Sequence, residues 1–293
     1  MKYLEKHPII MIVVGVIGIS LSAIFVRYST APSTVTAAYR LLWTVFLMTP
    51  IVMGKKDVRD ELFHVNRNVF LLSGLSGLFL AVHFAVWFES LRHTSVASST
   101  TIVCTEVIWV SLGFCLFMKG KLSQKAVATI AVTLVGSILI AYADSFASGS
   151  HLYGDILALV AAIATAVYTL IGQRIRKGTS TTVYTYMVYG VCAVALLTVC
   201  FMQGYNIFDY GMDAVVVGFL LSVFSTILGH SIFSWCLKFL SPSFVSASKL
   251  CEPVVAAIFA IFLFGEMPSL LQVFGGVLIL GGVYYYSRIE SGQ

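Results

Sequence analysis

Long apolar runs separated by short polar segments make up most of this chain. Each run has about 20 residues, the length that an α-helix needs to cross the hydrocarbon core of a bilayer. The connections are short, and the longest, Gly54 to Arg67, is polar. The pattern predicts an all-α membrane protein with ten transmembrane helices, at residues 8–28, 33–53, 68–91, 95–118, 125–143, 154–174, 182–202, 214–237, 243–264 and 269–287.

The composition agrees with that pattern. Apolar residues make up 59% of the 293 residues and charged residues 11%, and the mean hydropathy is +0.94. Ordinary soluble domains have about 45–50% and 25%, so no sizeable soluble domain is expected. The six cysteines all lie in apolar runs without a C-x-x-C motif, which predicts reduced, buried thiols.

The basic residues predict how the chain lies in the membrane. The apolar run after the basic N-terminus is long for a signal peptide and nine similar runs follow it, so we expect an uncleaved first helix. If that N-terminus is in the cytoplasm, the segments outside the cell contain only two basic residues, Arg27 and Arg92. The positive-inside rule therefore predicts cytoplasmic N- and C-termini and a multi-pass protein of the cell membrane. The net charge of +5 is explained by topology, and no nucleic-acid partner is expected.

Internal repetition is visible at one constant offset. Four pairs of identical residues are 147 positions apart: His83 and His230, Cys104 and Cys251, Arg27 and Arg174, Tyr39 and Tyr186. The offset predicts two five-helix repeats, residues 1–146 and 147–293. Because five is odd, the second repeat enters the membrane from the opposite side. Inverted repeats of this kind place a substrate site near the bilayer midplane and work by alternating access.

The end of the second repeat has a distinctive sequence. Cys251-Glu252-Pro253-Val254-Val255 is followed by Leu263-Phe264-Gly265-Glu266 and by the glycine-rich stretch Phe274 to Val283. In the first repeat Glu106 stands where the proline would be, and Lys121 follows Gly120 where a glutamate would be expected. Over nearly its whole length the chain resembles the drug/metabolite transporter superfamily, in its EamA-type branch of ten-helix carriers. The resemblance implies a secondary carrier of small metabolites such as amino acids, amines, sugars or nucleotide derivatives, frequently an exporter.

Four charged residues lie well inside apolar runs: Arg40, Glu106, Lys249 and Glu252. A charge at the centre of a membrane helix costs about 2.5–3.5 kcal/mol, so such residues face a cavity or each other. Lys249 and Glu252, at i and i+3, could form an ion pair. Two interpretations remain open: a self-neutralising cluster that serves packing only, or a substrate site in which a cation holds a carboxylate and an anion holds an ammonium group.

Further candidates come from spacing within single helices. Glu106 is the candidate for carrying a coupling proton, because no basic residue lies within one helical turn of it. Pro253 could kink its helix and free a carbonyl near Lys249. The equivalent residues His83 and His230 could face the cavity. Candidate aromatic contacts for the substrate are Trp87, which shares a face with His83, and Trp109, which shares one with Glu106. No metal site and no cofactor are predicted.

The sequence predicts a secondary transporter that moves a small zwitterionic or cationic metabolite, such as an amino acid or amine, by alternating access. Proton-coupled export is one form that this transport could take. An intramembrane enzyme is one alternative, although G-x-S-x-G, H-E-x-x-H and a paired aspartate are lacking. A channel or scaffold subunit is the other. The expected partners are the small-molecule substrate and the lipid bilayer, and the protein is expected to be a monomer or a homodimer.

Overall fold

The computed structural model of the protein describes residues 7–94, 96–145, 152–264 and 267–291, and these ranges contain helices and no β-strand. Two short elements, Lys56–Phe63 and Ile207–Asp209, lie in loops. The other helical segments of the described ranges are labelled here in chain order, with adjoining segments under one label: α1 (Pro8–Ser20 and Ser22–Arg27), α2 (Ser33–Gly54), α3 (Arg67–His93), α4 (Val96–Cys104 and Glu106–Met118), α5 (Gln124–Ser145), α6 (Leu152–Ile175), α7 (Thr181–Met202), α8 (Met212–Leu220, Leu221–His230 and Ser231–Cys236), α9 (Pro242–Ser248, Lys249–Cys251 and Glu252–Phe264) and α10 (Leu270–Ser291).

The prediction of an all-helical, membrane-spanning chain is confirmed. In the described part of the chain, nine helices are long and apolar enough to cross a membrane. The predicted fifth span, 125–143, falls in α5, whose apolar part Gln124–Ile140 is shorter than the other nine. Gly265 and Glu266, which carry part of the family resemblance, lie outside the described residues.

Local sequence signals explain where several helices begin. The hydroxyl group of Ser180 accepts a hydrogen bond from the amide of Val183 at the start of α7, and that of Ser241 accepts one from Phe244 at the start of α9. Such serine caps satisfy amide groups that have no carbonyl partner inside the helix. Pro242 follows its cap directly, in the first helical turn, where the missing amide hydrogen costs nothing.

Close helix contacts depend on glycine. A Cβ atom on Gly136 of α5 would lie 2.7 Å from the carbonyl oxygen of Gly275, and one on Gly275 of α10 would lie 2.6 Å from that of Gly136. Neither position has room for a larger residue. Small residues at membrane helix interfaces allow this close approach, which strengthens van der Waals packing where lipid offers no hydrophobic driving force.

The same contacts give the helix directions. Gly136 lies near Ile279 and Gly275 lies near Ile140, so α5 and α10 run antiparallel. Hydrogen bonds between Thr34 and Gln203 at one end, and between Thr49 and Tyr186 at the other, show that α2 and α7 are also antiparallel. The helix α3 packs on α6, and α1 packs on α8.

The buried apolar residues form two clusters, and each draws helices from both halves of the sequence. Bundle A is built from α2, α3, α6, α7 and the first part of α8. Bundle B is built from α1, α4, α5, α9, α10 and the last part of α8. The helix α8 therefore passes from one bundle to the other.

The crossing point in α8 is a π-helix at Leu221–His230. Its wider turns are supported by two side chains: the hydroxyl of Thr226 donates to the carbonyl of Leu221 at 3.2 Å, and that of Ser231 donates to the carbonyl of Thr226 at 3.2 Å. π-helical turns within α-helices are rare and often occur at functional sites.

Candidate functional site

A small cavity lies between the two bundles. Bundle A helices contribute Arg40, His83, Trp87 and Thr165, bundle B helices contribute Ile19, Ser22, Val103, Glu106, Lys249 and Glu252, and His230 lies where α8 crosses. The cavity measures about 30 Å³, which is room for about two water molecules. Seven of the eight residues that the sequence suggested for substrate binding line it.

An ion pair joins α4 to α9 at this cavity. The Nζ atom of Lys249 donates to the Oε1 atom of Glu106 at 2.7 Å, and the two residues are 7% and 2% exposed. Lys249 also lies 5.5 Å from the ring centre of Phe233. The two charges compensate each other, which is the arrangement that buried charges require.

The ion pair lies at a break in both helices. In α4 the helix is interrupted at Thr105, directly before Glu106. In α9 a 3₁₀ turn occupies Lys249–Cys251, followed by Glu252 and Pro253. Pro253 has no amide hydrogen for the carbonyl of Lys249 four residues earlier. That carbonyl instead accepts from the amide of Glu252 and from the thiol of Cys104, whose sulfur lies 3.8 Å away.

Arg40 is 1% exposed and has neutral hydrogen-bond partners. Its Nε atom donates to the hydroxyl of Thr226 at 2.7 Å, and one terminal nitrogen donates to the hydroxyl of Ser22 at 3.3 Å. The guanidinium carbon lies 4.1 Å from the ring centre of Phe84, a cation–π contact. The second terminal nitrogen has no hydrogen-bond partner among the described residues.

Glu252 is the other cavity charge outside the ion pair. It is 9% exposed, and within the described ranges its carboxylate forms neither an ion pair nor a hydrogen bond. Its backbone carbonyl accepts a hydrogen bond from the hydroxyl of Ser20 at 3.3 Å, which fixes this turn of α9 against α1. The predicted pair between Lys249 and Glu252 is therefore not formed, because Lys249 reaches across to α4.

The two histidines share one aromatic wall. The rings of His83 and His230 are 6.2 Å apart, and His83 stacks on Trp87 at 5.8 Å and 15°. The Nδ1 atom of His83 lies 3.1 Å from the carbonyl oxygen of Ala161. In contrast, the described chain offers no hydrogen-bond partner to three buried polar atoms of this wall, His230 Nδ1, Trp87 Nε1 and Thr165 Oγ1.

The remaining predicted contact, Trp109, does not line the cavity and is only half-buried. Helical spacing placed it on the face of Glu106, but the break at Thr105 leaves Glu106 at the first position of a new helical segment, and its side chain points to Lys249. Trp43 of α2 also lies outside the cavity, and its indole nitrogen donates to the carbonyl of Val215 at 3.2 Å.

Ser22, Thr165 and Thr226 were missed by the sequence reasoning. Hydroxyl residues are frequent in these apolar runs, so their presence gave no signal for these three. Ser22 and Thr226 hold Arg40, and Thr165 carries an unpaired hydroxyl group at the cavity.

Two stretches of the chain, residues 7–142 and 152–288, match the EamA-like transporter family. The chain belongs to this family. The predicted resemblance is therefore confirmed, and the family match occurs twice, once in each half of the sequence.

Full-length relatives of this EamA-family chain are also transporters by name. An uncharacterized transporter of Archaeoglobus fulgidus is 24% identical over 85% of both chains. One of Clostridium kluyveri is 24% identical over 93% of both chains. The uncharacterized transporter YxxF of Bacillus subtilis is 25% identical over 95% of this chain and 87% of its own. A solved crystal structure with 15% identity superimposes with a TM-score of 0.78 over 98% of both chains, which shows a shared fold.

Proposed function

We propose that the protein is a secondary transporter that moves a small zwitterionic or cationic metabolite, such as an amino acid or an amine, across the cell membrane by alternating access. The observation that carries this proposal is the cavity between bundles A and B, where Arg40 and Glu252 are buried without a charged partner. Intramembrane charges in such a position mark substrate or ion pathways. The family and its relatives support the transport role.

The proposed mechanism uses two inverted five-helix repeats, with ten transmembrane helices and both termini in the cytoplasm. Two features support it. Helices at equivalent positions in the two halves, α2 and α7, and α5 and α10, run antiparallel. The contact of α3 with α6 also has a counterpart in the contact of α8 with α1, which is the exchange that a twofold relationship between the halves requires.

The charges of the cavity favour a ligand with two opposite poles. The pair of Glu106 and Lys249 is neutral by itself. Arg40 offers a free terminal nitrogen to a carboxylate, and Glu252 offers its carboxylate to an ammonium group. A zwitterion would satisfy both groups, while a simple amine would satisfy Glu252 alone. Arg40 and Glu252 are the proposed poles of the site, with His83, His230 and Trp87 as its aromatic wall.

The volume of the cavity fits a transporter in a closed state. About 30 Å³ cannot hold an amino acid, so the bundles must separate for the substrate to enter. Pro253 and the 3₁₀ turn before it are the proposed hinge in α9, because a turn without a regular helical hydrogen bond bends most easily.

The structure changes the choice of proton carrier. Glu106 was the candidate from sequence, but it is engaged with Lys249 at 2.7 Å. Protonation of Glu106 would leave a buried, uncompensated ammonium group. Glu252 can take up a proton without breaking an ion pair, so it is the proposed coupling residue if transport is proton-coupled export.

Ligand binding and transport by the purified protein test the proposal. We expect zwitterionic amino acids, and more weakly amines, to raise the unfolding temperature, because a ligand that binds only the folded state stabilises it by mass action. The stabilising compound should also undergo counterflow in proteoliposomes. Binding of carboxylic acids without an amine, or turnover of a substrate by the solubilised protein without any compartment, would contradict the proposal.

A further inference from the structure

Between the cavity and the C-terminal end of α6, a tyrosine hydroxyl connects the two bundles. Tyr168 of α6 lies one turn beyond the cavity residue Thr165 and is 3% exposed. Its hydroxyl forms a 2.8 Å hydrogen bond with that of Ser234, on the part of α8 that belongs to bundle B. The ring of Tyr168 lies 6.2 Å from His230. The bond therefore joins the two bundles one helical turn from the cavity.

Two more contacts join the bundles at the same level. The hydroxyl of Tyr189 on α7 lies 3.0 Å from that of Ser231. Arg176, which follows α6 and is 2% exposed, donates from Nε to the backbone carbonyl of Ser234 at 3.0 Å and from a terminal nitrogen to the carbonyl of Thr179. Burial lowers the pKa of Arg176 to about 10, which leaves it charged at neutral pH. These contacts place a layer of hydrogen bonds between the cavity and the Arg176 end of the molecule.

The first half of the sequence has no such hydroxyl groups at the equivalent positions. The offset of 147 residues relates Ser231 to Phe84 and Ser234 to Trp87. Phe84 packs against the guanidinium of Arg40, and Trp87 stacks on His83. The equivalent positions of the two halves thus have different chemistry, with aromatic rings in the first half and serine hydroxyls in the second.

We propose that Tyr168–Ser234 and Tyr189–Ser231, together with Arg176, are the closed gate between the cavity and the Arg176 end. The gate rests on the proposed alternating access, because it must open when bundles A and B separate at that end. Opening breaks both tyrosine bonds and the contact of Arg176 with Ser234. The tyrosines act here by holding the two bundles together.

The accessibility of the cavity tests the gate. A cysteine introduced in place of Thr165 reports whether a membrane-impermeant thiol reagent can reach the cavity. The same reaction on the protein without the introduced cysteine measures the background from the six native cysteines. A separate variant with a cysteine in place of the exposed Lys177 shows in which vesicles the Arg176 end of the protein faces the reagent. Hydrogen bonds between membrane helices average about 0.6 kcal/mol. We therefore expect labelling from the Arg176 side to rise about threefold in Tyr168→Phe and about eightfold in Tyr168→Phe/Tyr189→Phe.

Tyr184→Phe is the matched control. Its hydroxyl forms a 2.8 Å bond with Ser76, but both residues belong to bundle A helices, so its loss should leave labelling unchanged. Ser234→Ala removes the same bond as Tyr168→Phe from the other side and should give the same increase, should the tyrosine variant fold poorly. Equal effects of the three tyrosines, or no increase with Ser234→Ala, would overturn the gate. Labelling needs no transported solute, so failure of the substrate proposal would be seen separately in counterflow.

Discussion

Lys249 is bonded to Glu106, 143 residues earlier in the chain, and not to Glu252, three residues later. This choice of partner divides the four buried charges into a neutral pair between α4 and α9 and two charges, Arg40 and Glu252, that line the cavity without forming an ion pair among the described residues. The division decides what each substitution should do.

Loss of one partner should destabilise the fold. Lys249→Ala leaves the carboxylate of Glu106 buried and uncompensated, which costs about 3–5 kcal/mol. The double variant Glu106→Gln/Lys249→Met removes both charges and should recover most of the stability. The measurement is the free energy of unfolding in detergent, with Lys238→Ala, at an exposed lysine, as the control. A double variant as unstable as the single one would contradict a simple pair.

Arg40→Lys tests the carboxylate pole. Lysine keeps the positive charge, but it has one side-chain nitrogen where arginine has three. It therefore cannot bond Thr226 and Ser22 and also offer a further nitrogen to the ligand. A hydrogen bond to a charged group contributes about 1.5–3 kcal/mol, so we expect at least about tenfold weaker binding of a zwitterion. The affinity for the corresponding amine without a carboxylate should stay the same. Equal losses for both ligands would show that Arg40 has only a structural role.

Glu252→Gln tests the ammonium pole and the proton. The variant keeps the shape of the side chain but has no charge and no exchangeable acidic proton. We expect amines to lose binding and any accumulation driven by a pH gradient to disappear. Glu89→Gln, at an exposed residue paired with His93, is a matched control on the protein surface. Accumulation that persists in Glu252→Gln would place coupling elsewhere.

Pro253→Ala tests the hinge. The new amide hydrogen can bond the carbonyl of Lys249 in regular helical fashion, so the turn should stiffen. We expect equal or greater thermal stability and a slower counterflow rate with unchanged ligand affinity. A faster rate would mean that the bend is not limiting.

Glycine contacts between α5 and α10 predict a difference between two substitutions on the same helix. Gly275→Ala places a methyl group 2.6 Å from a backbone oxygen and should destabilise by about 1–3 kcal/mol, the usual cost of overpacking. Gly281→Ala meets nothing within 4 Å and should gain up to about 1 kcal/mol from helix propensity. Unfolding of both variants in detergent measures the difference.

Sequence periodicity and composition were enough to predict an all-helical membrane protein and its apolar runs, since a bilayer imposes length and polarity on every spanning helix. They also located the cavity residues, because a charge is costly in lipid wherever it is placed. The partner of each charge could not be predicted. Spacing along one helix suggested Lys249 with Glu252, whereas the pair that forms depends on how α4 and α9 cross.

Irregular helix geometry was the second feature that could not be predicted from the sequence. The break at Thr105 turned Trp109 away from the cavity, and the π-helix in α8 has no sequence signature as clear as a proline. Thr226 supports both that π-helix and Arg40, and nothing in its sequence context indicates either role.

The interleaving of helices in bundles A and B has a consequence for biosynthesis. The helices α2 and α3 complete their packing on α6 and α7, and α5 completes its packing on α10, all of which are synthesised later than the helices they contact. The two stretches that match the family, residues 7–142 and 152–288, therefore share their packing interfaces. A nascent chain that stops after α9 would leave Gly136 of α5 without its packing partner Gly275.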